Sequence, residues 1–347
     1  MLIGAFLTLT GENAEFGRAA QNGIDLAVDE IDANVSFPAI PKVLYLDDRG
    51  RAQTAQDAVF ELIDRDHVVA LLGEIASGIS TPCGITATRN KVPMLSPCST
   101  AAKVTETGRY VFRACFIDDV QGDFAARYIV KTMGKTRVAL ATAADEPYST
   151  AIAEAFRKAM ANLGVQLACE VSFSQRETDF GPAVRTLKSA TPDIIFAPIY
   201  FNEMNRFAAR AIAEGMPSEL FFGSDGWASD EELARRLEGA RYIDHWAEGV
   251  PYPKSKAFVA AFRAKYGHAP DAVAALSYDA AYLLADAIAR ATVVTPEAIR
   301  EALAATHGFE GVSGRLAMDE NRNPIKPAVV LAFRGGAPVF EAVVDPS

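Results

Sequence analysis

Leu2-Ile3-Gly4-Ala5-Phe6-Leu7-Thr8-Leu9 opens the chain as an almost unbroken apolar run, and the amphipathic stretch Phe16–Ala33 follows it. A short continuous apolar run predicts a strand buried on both faces. Apolar residues recurring at three- and four-residue spacing predict a helix laid against it. The same pair recurs along the chain. Strands are predicted at Lys42–Leu46, Val68–Leu72, Pro93–Ser96, Arg137–Ala141, Gln166–Val171, Ile194–Ala197 and Leu220–Gly223. Helical patterns at Ala52–Asp64, Tyr148–Leu163, Asp179–Ser189 and Asn202–Glu214 lie between them. This alternation predicts an α/β fold of parallel sheets covered by helices on both faces.

The pattern changes character twice. One α/β set ends at Tyr110-Val111-Phe112-Arg113, and a second begins with the helix near Gln121 and runs to about Gly249. Helical stretches at Ser255–Tyr266, Asp271–Arg290 and Pro296–Ala305 follow, and strands return near Arg315–Met318 and Ala328–Phe333. Those last strands are expected to pair with sheets already built. The expectation is two doubly wound parallel-sheet lobes, residues 1–117 with 250–323 and residues 118–249 with 324–347. The segments Gly249–Pro253 and Asp319–Pro324 would supply the second and third crossings of a hinge. In such sheets ligands bind at the carboxyl ends of strands, where helix N-termini offer unpaired N–H groups.

Composition narrows the function classes. The 347 residues are 50% hydrophobic, too much for one compact core and suited to two domains. Charged residues make up 22% and no biased tract is present, so disorder is a poor description. The net charge is −10, and pairs such as Arg235-Arg236 sit among acids; the basic face that would neutralise phosphates is missing, which argues against nucleic acid. No apolar run is read as long enough to cross a bilayer. Met1 leads straight into the first strand with no basic segment or cleavage site, which leaves a cytosolic protein and one whose signal peptide has been removed both open. Cys83, Cys98, Cys115 and Cys169 show no metal-type spacing with the four histidines and read as small buried hydrophobes, with a Cys83–Cys98 bridge left open. Neither metal nor cofactor is expected.

Three strand ends carry candidate chemistry. In Leu72-Gly73-Glu74-Ile75-Ala76-Ser77-Gly78, Ser77 either caps a helix or offers its hydroxyl to an anion at the positive helix end. Pro93-Met94-Leu95-Ser96-Pro97-Cys98-Ser99-Thr100 runs from a strand into a loop dense in hydroxyls, and Thr100 has donors for a carboxylate. In Phe221-Phe222-Gly223-Ser224-Asp225-Gly226-Trp227 an acid stands just past a strand, as a turn former or as the partner of an ammonium. Each has an ordinary turn or cap as its alternative; together they make a receptor for a zwitterion. Enzyme signatures are missing: no G-x-S-x-G, H-E-x-x-H or P-loop occurs, and Thr10-Gly11-Glu12-Asn13-Ala14 lacks the glycine spacing for pyrophosphate. His245 and His307 read as surface or helix-capping residues.

The residues also resemble a known family. Ile3 through Gly11, Phe16-Gly17 and Asn22-Gly23-Ile24-Asp25-Leu26-Ala27 look like the start of the branched-chain amino acid binding proteins, the type I periplasmic binding proteins of ABC importers. Asp47-Asp48, Gly73 through Gly78, Pro93 through Thr100, Phe112-Arg113, Asp118, Gln121-Gly122, Tyr278-Asp279-Ala280 and Gly311–Gly314 extend the likeness in order over almost the whole chain.

The resemblance implies roles. Ser77 and Thr100, helped by the backbone at Cys98, would bind the ligand carboxylate, and Asp225 the α-ammonium, where many relatives use Glu. Tyr148 and Tyr200 would close over the ligand from the second lobe, and Phe16, Ala76 and Val273 would line a side-chain pocket. The family further implies a monomer, hinge closure, docking on a membrane permease and a periplasmic or cell-surface location. Two departures stand out. Arg51 and Ala76 rule out the disulfide of some relatives, and the short Ser36–Pro41 loop lacks the Gly-rich connector. The expected ligand is an α-amino acid with an apolar or aromatic side chain. An aromatic acid or small amide, and a cytosolic ligand-sensing regulator of the same fold, are the alternatives.

Overall fold

The computed structural model describes residues 1–11, 14–33, 42–228 and 231–346; Glu12, Asn13 and the Ser36–Pro41 loop lie outside them. In chain order the elements begin with β1 (Leu2–Leu7), α1 (Ala14–Ala33), β2 (Lys42–Asp47), α2 (Ala52–Asp64), β3 (Ala70–Leu72), α3 (Ser77–Asn90), β4 (Met94–Ser96), α4 (Lys103–Glu106) and β5 (Val111–Arg113). The next group is α5 (Asp118–Arg127), β6 (Val138–Ala143), α6 (Pro147–Asn162), β7 (Cys169–Phe173), α7 (Gly181–Ala190), β8 (Ile194–Ala197), α8 (Phe201–Ala213), β9 (Phe221–Gly223), α9 (Glu231–Arg236) and β10 (Arg241–Asp244). After them come α10 (Pro253–Tyr266), α11 (Ala272–Arg290), α12 (Pro296–Ala304), β11 (Phe309–Gly311), β12 (Gly314–Met318), β13 (Pro324–Ile325), β14 (Ala328–Arg334) and β15 (Ala337–Val344).

These elements gather into two compact units, Met1–Ile117 with Pro251–Pro327, and Asp118–Val250 with the segment from Ala328 onward. The chain therefore passes from one unit to the other after Ile117, Val250 and Pro327.

The first unit is built on a parallel sheet in the order β2-β1-β3-β4-β5. The strands are apolar throughout because both faces are covered. Phe6, Leu71 and Met94 from the sheet pack with Val59 and Leu62 of α2 and Cys83 of α3. α1 and α11 pack together elsewhere in this unit, and they come close because Gly23 has no side chain: a Cβ there would stand 2.2 Å from the Ala274 carbonyl oxygen. α11 is long and apolar enough by composition to cross a membrane, contrary to the sequence expectation. It is a core helix nonetheless, buried along most of its length, with Asp279 at its centre. The Asp279 carboxylate accepts the N–H groups of Val312 (2.7 Å) and Ser313 (2.9 Å) and the Ser313 hydroxyl, and Lys326 donates to that hydroxyl in turn. This fixes the turn between β11 and β12 on α11.

β12 does not join a large sheet as expected. It pairs antiparallel with β11 and with β13 in a small sheet of its own. A two-residue β13 ending at Pro324-Ile325 is too short to extend further.

The second unit carries a seven-stranded sheet, β15-β14-β10-β9-β8-β6-β7. β10 through β7 are parallel, and β14 and β15 add antiparallel strands at the β10 edge. Its core is aromatic: Phe156 meets Phe196 at 4.3 Å between centroids, and Phe207 packs on Phe173, Phe180 and Phe221. In both units the strand ends that face the βα loops carry the candidate residues.

Candidate functional site

In the first unit, β3 ends at Leu72 and the chain turns through Gly73 into Glu74. Gly73 has φ +128° and lies against the Phe6 carbonyl, so a side chain fits neither the backbone conformation nor the space. α3 begins at Ser77 with Ala76 as its N-cap. The capping role foreseen for Ser77 is thus not the one it has. Its hydroxyl instead accepts the N–H of Ala101 at 3.2 Å, joining the helix start to the loop that follows β4. The N–H groups of Ile79 and Ser80 turn back to the Ala76 carbonyl, while those of Ser77 and Gly78 belong to the open first turn, where the helix dipole is positive.

The Ser96–Thr100 loop is held from two directions. The hydroxyls of Ser80, Ser96 and Ser99 gather on the Glu74 carbonyl at 3.0, 2.6 and 3.0 Å. Buried Arg113, at the end of β5, donates to the carbonyls of Ser99, Ala101 and Ala102 and to the Thr105 hydroxyl. Thr100 is buried in this loop, and its hydroxyl has no hydrogen-bond partner among the described residues. Cys98 is half-buried, and none of the four cysteines is bridged. Phe16 stands half-buried in the first turn of α1, Val273 half-buried in that of α11, and Ala76 is exposed. No hydrogen bond or ring contact among the described residues joins Phe16 or Val273 to the Ser77–Thr100 cluster.

The side chain of Glu74 is itself buried. Oε2 accepts the N–H of Ala76 at 2.6 Å, and Oε1 lies 3.2 Å from both the N–H and the hydroxyl of Thr8. That hydroxyl is also 2.7 Å from Oδ1 of buried Asp48. Burial, and then the nearby Asp48 charge, push the Glu74 carboxyl up to about 7, against the opposing bonds from Ala76 and Thr8.

In the second unit, five side chains meet at neighbouring strand ends. Asp225 follows β9, Tyr148 opens α6 after β6, Tyr200 caps α8 after β8, His245 follows β10 and Gln121 comes from α5. Oδ1 of Asp225 accepts from Tyr148 Oη at 2.5 Å and from Gln121 Nε2 at 3.0 Å, and Oδ2 lies 3.1 Å from His245 Nε2. The Asp225 N–H donates to Gln121 Oε1 at 2.7 Å. The rings of Tyr148 and Tyr200 stack at 4.5 Å. Gly226 lies against both tyrosines, where a Cβ would stand 2.9 Å from the Tyr148 hydroxyl.

Burial would push the Asp225 carboxyl up, but the bond and the charge of His245, and then the bonds from Tyr148 and Gln121, hold it below the usual value, which favours the ionised form. Around it the surroundings are acidic. The Tyr200 phenol is pushed up by burial and then by Glu146, Asp225, Asp118 and Glu203.

His245 corrects the sequence reading: it is buried and bonded to Asp225, not on the surface or at a helix cap. His307 is exposed. The charged residues that bound β10 hide it in the sequence pattern; with Tyr242-Ile243 in a sheet, the residue after Asp244 falls at a strand end, the signal that points to His245. Glu74 and Gln121 stood within the quoted motifs without a role.

The comparisons agree with this architecture. The model of the family described as periplasmic binding protein matches residues 2–337. A Leu/Ile/Val-binding protein homolog of Brucella abortus is 25% identical over 334 residues, covering 95% of this chain and 89% of the relative. A crystal structure of a leucine-binding protein from Thermotoga maritima is similar over 100% of this chain and 99% of that one, with 33% identity and a TM-score of 0.86. A branched-chain amino acid transporter substrate-binding protein from Streptococcus pneumoniae, solved with isoleucine, covers 100% and 99%, with 29% identity and a TM-score of 0.85.

Proposed function

The chain belongs to the periplasmic binding protein family, and we propose that it captures an α-amino acid with an apolar side chain and passes it to an ABC importer outside the cytoplasm. It is a binding protein and not an enzyme. The observation that carries the ligand class is Asp225, a largely buried, ionised carboxylate among further acids. Such surroundings favour an ammonium and disfavour a ligand that brings only a carboxylate. A carboxylate has about four acceptor positions, and Tyr148, Gln121 and His245 occupy three of those on Asp225, which leaves one for an incoming N–H.

In this reading Ser77, Thr100 and the backbone at Cys98 take the ligand carboxylate, using the first turn of α3 and a hydroxyl that has no partner among the described residues. Tyr148 and Tyr200 contribute ring surface. Phe16 and Ala76 are proposed for the ligand side chain. The two half-sites are proposed for the two ends of an amino acid, and the three chain crossings for a hinge. The ligand's contacts with the closed state would then supply the differential affinity that shifts the equilibrium. The likeness to proteins named for leucine and isoleucine supports an aliphatic side chain.

The stacked tyrosines on their own favour a second ligand class, an aromatic acid, but the acids around them weigh against it. A thermal-shift screen of ligand-stripped protein against amino acids and aromatic acids separates the two. A ligand at 100 times its Kd adds about 2.7 kcal/mol of stability. Shifts with leucine, isoleucine or valine support the proposal, whereas shifts confined to aromatic acids would replace it.

A further inference from the structure

We propose that Glu74 is a positioning residue for the carboxylate half-site and that it holds a proton which ligand binding requires. The proposal rests on the amino acid reading above for the ligand, and on the geometry of the first unit for the proton. Glu74 touches both donor segments. Its side chain bonds to Ala76, the cap of α3, and its carbonyl collects the hydroxyls of Ser80, Ser96 and Ser99. Whatever charge Glu74 carries therefore lies at the helix start proposed to receive the ligand carboxylate.

The hydrogen-bond pattern accommodates a proton on Glu74. The Thr8 hydroxyl has a single hydrogen, yet its oxygen lies 2.7 Å from Asp48 Oδ1 and 3.2 Å from Glu74 Oε1. The shorter contact takes that hydrogen. The longer one becomes a bond when Glu74 Oε1 is protonated and donates to Thr8, giving a chain from Glu74 through Thr8 to Asp48. The other oxygen of Asp48, Oδ2, is buried with no partner among the described residues, so ionising both carboxyls would leave charge poorly compensated.

Among the described residues, the groups that face Glu74 from the elements around it are Thr8 after β1, Asp48 just past β2, and Ser80 and Cys83 on α3, while neighbouring Asp47 is taken up by the N–H groups of Leu9, Thr10 and Arg49. The Cys83 thiol is pushed up by burial, then by Asp48 and Glu74. Arg113 reaches the same loop, and its guanidinium is engaged by the carbonyls of Ser99, Ala101 and Ala102. With its carboxyl raised to about 7, Glu74 gives up its proton near neutral pH. The ionised form bonds to the Ala76 N–H and competes with a ligand anion for the same positive helix end.

Titration calorimetry of the whole chain with L-leucine tests the linkage. Wild type should bind about tenfold more weakly at about pH 8 than at about pH 6, with proton uptake on binding. Glu74→Gln should show a flat profile. A flat wild-type profile, or the same slope in both proteins, overturns the proposal.

If L-leucine binds at no pH, the ligand reading fails and the ligand-free protein decides the proton. Carbon NMR of wild type labelled at the glutamate carboxyls, which needs no variant, should show one carboxyl titrating near neutral pH. Stability should also fall as pH rises from the unfolded value of 4.5 through about 7 in wild type, and stay level in Glu74→Gln over that window. All glutamates titrating in the ordinary acid range, or equal stability profiles, would overturn it.

Discussion

Nε2 of His245 lies 3.1 Å from Oδ2 of Asp225, so the acid proposed to hold the ligand ammonium is hydrogen-bonded before any ligand arrives. With Tyr148 and Gln121 on its other oxygen, the network holds Asp225 in the charged form and fixes where that charge points.

Removing the acid leaves a ligand ammonium without its partner. Truncating one side of a buried charge pair costs on the order of 3–5 kcal/mol. Asp225→Ala should therefore weaken L-leucine binding by roughly several hundredfold or more, measured by titration calorimetry. Wild-type affinity in this variant would place the ammonium elsewhere.

The same carboxyl has a signature in acid. Its folded value lies below the ordinary 3.8, so its contribution to stability is present above that value and lost as pH falls through the folded one. In urea titrations from about pH 5 downward, wild type should lose stability more steeply than Asp225→Asn. Parallel curves would mean that His245, Tyr148 and Gln121 do not stabilise the ion.

Tyr148 makes two kinds of contact that the loss of one oxygen separates. Its hydroxyl contacts Ser224 and Asp225 and accepts the Gly226 N–H, while its ring stacks on Tyr200. Tyr148→Phe keeps the ring and deletes the hydroxyl. A hydrogen bond to a charged group is worth roughly 1.5–3 kcal/mol, so affinity should fall by about tenfold or more while the fold, followed by circular dichroism, is retained. An unchanged Kd would assign Tyr148 a packing role alone.

Gly23→Ala tests the packing of α1 on α11. The added carbon would meet the Ala274 carbonyl oxygen at 2.2 Å, a backbone atom that cannot swing aside. Overpacking of this kind costs about 1–3 kcal/mol or more, so the thermal midpoint of unfolding should drop by several degrees. A neutral effect would show that the two helices separate easily.

The parts of the fold that the sequence showed well are those set by local pattern. Ile194–Ala197 and Ala52–Asp64 are found where periodicity put them, and Leu2–Leu9 needed only its last two residues trimmed. Thr8 and Leu9 leave the strand because their polar contacts, to Glu74, Asp48 and Asp47, lie at the loop. Arg241–Asp244 escaped notice because a four-residue strand bounded by two charges has no apolar run to see. With it went His245. Ser77 shows a different limit, since a serine at a helix start reads as a cap whether its hydroxyl turns inward along the chain or, as found, accepts an N–H 24 residues away. Glu74 carried no local signal at all: the rise of its carboxyl depends on burial and on Asp48, two strands across the sheet.

The late arrival of β14 and β15 has a consequence for biosynthesis. Until Ala328 has left the ribosome, β10 is an edge strand whose second neighbour does not yet exist, and a bare edge pairs with whatever strand it meets. The nascent chain also displays the α1 surface until α11 emerges, some 240 residues after α1 ends. Neither unit can close on a contiguous stretch of newly made polypeptide. A chaperone that keeps the chain extended until synthesis is complete would therefore protect it twice over, and a protein cut short just before Ala328 should aggregate through its β10 edge.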